Sequence, residues 1–263
     1  IPASWKEALD AVYRQLRASQ AGAGEPVAIL GSGFLTSEEA RLFAELAGLV
    51  ETPHRGVAVE PSPAWHIPNL KGGITGQDAA PNRRGAELAG LVPGAGGSDA
   101  AAILAGKTPL SVLVVTDSDF GQAAYDEETV ARLRQAARTL VVFGWADSPL
   151  AQAADIALPV ATHAEKEGSF VNVEQRVQRF TAAFPPPGLV RPGVDILSDL
   201  LARFDPQYAG LTPEAVFAQL AETVPAFAGL GLAGLPATGA PLQIPAAAIA
   251  AMPLPPHEPV AEV

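Results

Sequence analysis

Four short apolar runs, at residues 27–30, 110–115, 140–143 and 156–160, are separated by segments whose apolar residues recur at helical spacing. This succession constrains the fold more than any other feature of the chain. Consecutive strands joined through helices have to cross over, and crossovers build parallel sheets with helices packed on their faces. The runs are almost continuously apolar, as expected of strands covered on both sides. The chain is therefore expected to be α/β, doubly wound, with mostly parallel sheets and flanking helices.

Between the strands, Trp5, Ala8, Leu9, Val12 and Leu16 predict a helix over residues 4–21, opened by a Ser4/Glu7 capping box. Gly31-Ser32-Gly33 ends the first run, and Thr36-Ser37-Glu38-Glu39 opens a second helix carrying Leu42, Phe43, Leu46 and Leu49. Residues 51–98 are rich in Gly and Pro and are expected to be mostly loop, with a short helix over 84–91. Further helices are expected over 100–105, 127–137 and 147–153, and a hairpin over 168–180. Past Pro185-Pro186-Pro187-Gly188 a helix bears Val194, Leu197, Leu200, Leu201 and Phe204, and Thr212-Pro213-Glu214 caps a last one. This divides the chain into an α/β domain over 1–235, as one body or as two lobes split near 95–100, and an irregular Ala/Pro-rich tail over 236–263.

Seventeen basic against 28 acidic residues leave a net charge of −11, a field that repels nucleic acid and anionic lipid. No cysteine is present, which removes thiolate metal sites, the ordinary iron–sulfur ligand set and a cysteine nucleophile. No apolar run approaches the roughly 20 residues of a membrane span, so direct membrane insertion is not expected and a cytoplasmic location is. The chain opens on Ile1, and its one methionine is Met252, which reads as a fragment of something longer. His54, His66, His163 and His257 are too dispersed for a predicted metal site. Gly106-Lys107-Thr108 lacks the upstream glycine of a phosphate loop, and no catalytic residue is assigned.

Open α/β sheets bind ligands at the carboxyl ends of their strands. That places the candidate cofactor-binding residues at Gly31, Ser32 and Gly33 after the first strand and Asp117 after the second. Glu165, Lys166, Gly168, Asn172 and Arg176 join them from the polar stretch after the fourth. Gly31-Ser32-Gly33 is equally a tight turn without ligand, Asp117-Ser118-Asp119 is equally a turn, and the polar stretch equally a solvated loop.

The stretch from Ala154-Asp155-Ile156-Ala157-Leu158-Pro159 through Glu165-Lys166-Glu167-Gly168-Ser169-Phe170-Val171-Asn172-Val173-Glu174-Gln175-Arg176-Val177-Gln178 resembles a segment of the molybdopterin oxidoreductase superfamily, which includes formate dehydrogenase and DMSO reductase. Leu35-Thr36-Ser37-Glu38-Glu39-Ala40, Asn82-Arg83-Arg84-Gly85-Ala86 and Thr212-Pro213-Glu214-Ala215-Val216-Phe217 resemble other parts of it in order. The resemblance covers about residues 25–230. Gln175 stands where the family usually has a turn glycine, Asp117-Ser118-Asp119 replaces a common Asn-Pro, and the metal-holding Cys is missing.

These departures are similar to those of the branch that keeps the fold without molybdenum, the large subunit of NADH-quinone oxidoreductase (complex I). The resemblance then implies a non-catalytic structural segment with a vestigial cleft and no cofactor of its own. It also implies iron–sulfur clusters in an N-terminal part of the subunit, peripheral-arm subunits as partners, and attachment to the inner face of the plasma membrane through the complex. A fragment of a molybdopterin-dependent oxidoreductase and a stand-alone nucleotide-binding protein of Rossmann type are the alternatives.

Overall fold

The computed structural model describes residues 2–20, 24–58, 65–67, 74–76, 80–117, 125–172 and 174–244. Ser118, Asp119, Met252 and His257 lie outside them.

The expected parallel sheet is present. β1 (Val27–Ser32), β2 (Arg55–Ala58), β5 (Leu110–Thr116), β6 (Ala137–Gly144) and β7 (Ile156–Pro159) form a five-stranded sheet in the order β2-β1-β5-β6-β7. Every pairing in it is parallel. Counting only its own strands, the order is 2-1-3-4-5, so the chain reverses its direction of winding between β1 and β5.

Alternation along the central strands feeds two cores. Val27 and Ile29, Val112 and Val114, and Val141 and Phe143 point to one face. There they meet α1 (Trp5–Gln20), α2 (Ser37–Leu49), α7 (Gly193–Leu201) and α8 (Pro213–Thr223), through Leu9, Phe43, Leu197 and Phe217 among others. Ala28 and Leu30, Leu113 and Val115, and Leu140 and Val142 point the other way. They are covered by α4 (Ala100–Leu104), α5 (Glu127–Ala136) and α6 (Pro149–Gln152). A strand buried on both faces has no polar position to alternate with, which is why these runs read as uninterrupted.

Within the stretch expected to be mostly loop, the described residues include short regular elements. They are β2, the antiparallel pair β3 (Trp65–Ile67) and β4 (Ile74–Gly76), and α3 (Arg83–Leu88), which overlaps the expected 84–91 window. β2 carries no sequence signal because Arg55-Gly56-Val57-Ala58 is short and has no periodicity. Its Gly56 is required by close approach, since a Cβ there would lie 2.7 Å from the backbone nitrogen of Ala100. The helix expected over 127–137 stops at Ala136 and β6 begins at once at Ala137.

The expected hairpin forms as β8 (Gly168–Val171) and β9 (Arg176–Phe180), with β10 (Ala240–Pro241) added antiparallel to β9. The packed region thus continues past residue 235. Gln175, in the hairpin turn, has φ 61°. This left-handed backbone favours glycine and accounts for the glycine that family resemblance places there.

Candidate functional site

A cluster of buried polar side chains gathers at the first turn of α2. Thr36 is its N-cap: its Oγ1 accepts the Glu39 N–H at 3.0 Å, and Glu39 Oε2 accepts the Thr36 N–H at 2.8 Å. The box satisfies two of the donors that a helix start leaves open. Glu39 has a second role. Lys166 Nζ donates to both its oxygens, at 2.9 and 2.8 Å, and the side chains are 8% and 2% exposed for Lys166 and Glu39.

Glu38 is buried as well, and its carboxylate is held by a serine rather than a cation. Its Oε2 accepts the Ser169 N–H at 3.0 Å and its Oε1 the Ser169 hydroxyl at 2.8 Å. Burial pushes its carboxyl up to about 7, although the bonds from Ser169 pull the other way. Ser37 Oγ donates to Ser169 O at 3.2 Å. From the neighbouring helix start, the fully buried Asn82 donates through Nδ2 to Leu35 O at 2.7 Å and accepts the Val171 N–H at 2.6 Å.

Side chains of α2 and Asn82 therefore bond to backbone groups of β8 that β9 leaves unpaired. They stand where a further strand would otherwise have to pair. Gly168 makes the approach possible, because a Cβ on it would lie 2.6 Å from Thr36 Cγ2.

The carboxyl ends of β1 and β5 lie beside this cluster, at the point where the winding reverses and open α/β sheets bind ligands. A cleft there is lined by Ser32, Glu39, Thr116, Asp117, Phe143 and Lys166, among others, with a cavity volume of about 30 Å³. Asp117 Oδ2 accepts from the hydroxyl of Ser148, the N-cap of α6.

Of the nine expected cofactor-binding residues, the structure brings three, Ser32, Asp117 and Lys166, to this cleft. The other six lie outside the lining of this cleft and touch protein. Gly31 and Gly33 are packed against protein: a Cβ would lie 2.7 Å from Leu91 Cδ1 and 2.3 Å from Ala80 Cβ, respectively. Glu165 accepts the Thr162 N–H in its own turn, and Gly168 abuts Thr36. Asn172 organises the hairpin turn, its Oδ1 accepting the N–H groups of Glu174 and Arg176, while Arg176 donates to the Thr238 and Gly239 carbonyls. Sequence reading missed Glu38, Glu39, Asn82 and Ser169 as site residues. The one signal for them was the adjacent acid pair in a helix whose other positions are largely apolar.

A pterin cofactor with phosphate groups needs several hundred Å³ and unspent cationic or N–H donors. Among the described residues the cleft offers about 30 Å³, two carboxylates and one ammonium already engaged with Glu39. Those residues do not fit such a group.

Residues 66–203, a little over half of the chain, match the molybdopterin oxidoreductase family. The chain belongs to that family. Among its relatives, an NADH-quinone oxidoreductase subunit of Rhizobium meliloti is 30% identical over 184 residues, covering 67% of this chain and 22% of the relative. The NADPH-Fe(3+) oxidoreductase subunit alpha of Geobacter sulfurreducens is 30% identical over 152 residues, covering 57% of this chain and 18% of the relative. The assimilatory nitrate reductase of Haloferax mediterranei is 35% identical over 102 residues, covering 38% and 14%. The chain thus spans about a fifth or less of the length of these relatives. Among the described residues no helix is long and apolar enough to cross a membrane.

Proposed function

We propose that this molybdopterin oxidoreductase domain is a non-catalytic structural part of the large peripheral-arm subunit of an NADH-quinone oxidoreductase, supporting the NADH-oxidising module. The observation that carries the reading is the cleft at the winding reversal, where Lys166 directs two bonds to the oxygens of Glu39 and little free volume remains. A site kept for chemistry keeps its charged groups available to a ligand; here the Lys166–Glu39 pair is turned inward and joins the approach to β8 to α2. The breadth of the match to the Rhizobium meliloti protein supports the choice of complex. On this reading the iron–sulfur clusters lie elsewhere in the same subunit, the partners are other peripheral-arm subunits, and the complex holds the chain at the inner face of the plasma membrane.

A scaffold acts through the amount of complex assembled rather than through turnover. Lys166→Met in the full-length protein, expressed in its host, is expected to lower the quantity of assembled complex while NADH oxidation per assembled complex stays unchanged. A fall in turnover per complex at normal abundance would contradict the scaffold role. The match to the nitrate reductase favours a second reading, a fragment of a molybdenum enzyme, which requires stoichiometric molybdenum and pterin in the intact protein.

A further inference from the structure

Thr116 closes the carboxyl end of β5. It continues the alternation of Val112 and Val114, so its side chain lies on the α2 face of the sheet, where it lines the cleft with Glu39 and Lys166. It is 3% exposed, yet among the described residues its Oγ1 meets no donor or acceptor. An unpaired buried hydroxyl is costly. In the lining of the same cleft, the Lys166 ammonium has three N–H donors and directs bonds to the two oxygens of Glu39.

The cleft volume of about 30 Å³ exceeds the roughly 10–15 Å³ that one water requires. Apolar walls from Leu35, Phe43, Phe143 and Val160 restrict hydrogen bonding to the polar corner. Two carboxylates against one ammonium make that corner a poor host for an anion.

From these groups we infer that the cleft is a built site for a single small neutral hydrogen-bonding ligand, water, held by Thr116 Oγ1 and the remaining Lys166 donor. The water satisfies the hydroxyl and completes the surroundings of the buried ion pair, so the strand ends are closed by protein and solvent together. This goes beyond the scaffold reading and stands or falls separately from it.

Two measurements on the full-length protein test it. A crystal structure at high resolution is expected to show one discrete peak within hydrogen-bond distance of both Thr116 Oγ1 and Lys166 Nζ. Featureless density there overturns the inference and leaves the scaffold reading intact, whereas pterin density overturns both. The sign of the effect of Thr116→Val on the melting temperature is the second measurement. Loss of a water-bridged hydroxyl is expected to lower Tm by about 2–4 °C, with Thr116→Ser close to the wild type. A rise in Tm for Thr116→Val would mean that the hydroxyl is truly orphaned, and would overturn the site.

Discussion

Lys166 and Glu39, 127 residues apart in sequence, meet through two hydrogen bonds of 2.9 and 2.8 Å with almost none of either side chain exposed. Because Glu39 also closes the capping box of α2, one carboxylate joins the start of that helix to the loop leading into β8.

Removing one member of a buried pair strands the other charge, at a cost of about 3–5 kcal/mol. Lys166→Met is therefore expected to lower the unfolding free energy by that amount in urea denaturation. Adding Glu39→Gln removes the stranded charge and keeps an acceptor for the Thr36 N–H, so the double variant should recover much of the loss. A double variant as unstable as the sum of the two single ones would show that the pair does not couple the elements.

Glu38 makes the junction respond to pH. Its carboxyl is raised to about 7 in the fold against an ordinary 4.5, so protonation favours the folded state. That contribution is complete below about pH 4.5 and is lost as pH rises through 7. Relative to Glu38→Gln, which does not titrate, the wild type should lose stability between pH 5 and pH 8, by at most on the order of 3 kcal/mol. Urea midpoints at the two pH values measure this, and a wild-type advantage that grew with pH would contradict it.

Asn82 serves two buried backbone groups, the Leu35 carbonyl and the Val171 N–H. Asn82→Leu fills similar space and leaves both without partners, at about 1–3 kcal/mol each. Hydrogen exchange should show the Val171 amide losing protection more than the Val114 amide in the centre of the sheet. Equal loss at the two would place the effect in global unfolding alone.

The strands of the sheet interior were legible because burial on both faces leaves an apolar run, as at Val112–Val115, and the α2 start was legible from Thr36 and Glu39. β2 was not, since what holds Gly56 in the sheet is its contact with Ala100 rather than any local pattern. The site divided the same way. Ser32, Asp117 and Lys166 follow from strand ends, but the partners of Lys166 and Ser169 come from a helix more than 120 residues earlier, and spacing along the chain carries no trace of that. Asn172 and Arg176 belong to a family motif whose residues here build a hairpin turn instead of facing the cleft.

Metal and pterin content of the intact protein, purified from its natural source and normalised to its concentration, bears most directly on a family fold retained without its cofactor. Elemental analysis is expected to find neither molybdenum nor tungsten above trace level, and oxidation of the extract to yield no fluorescent pterin. One metal and its pterin per chain, removed by a substitution that opens the Lys166–Glu39 contact, would contradict that claim.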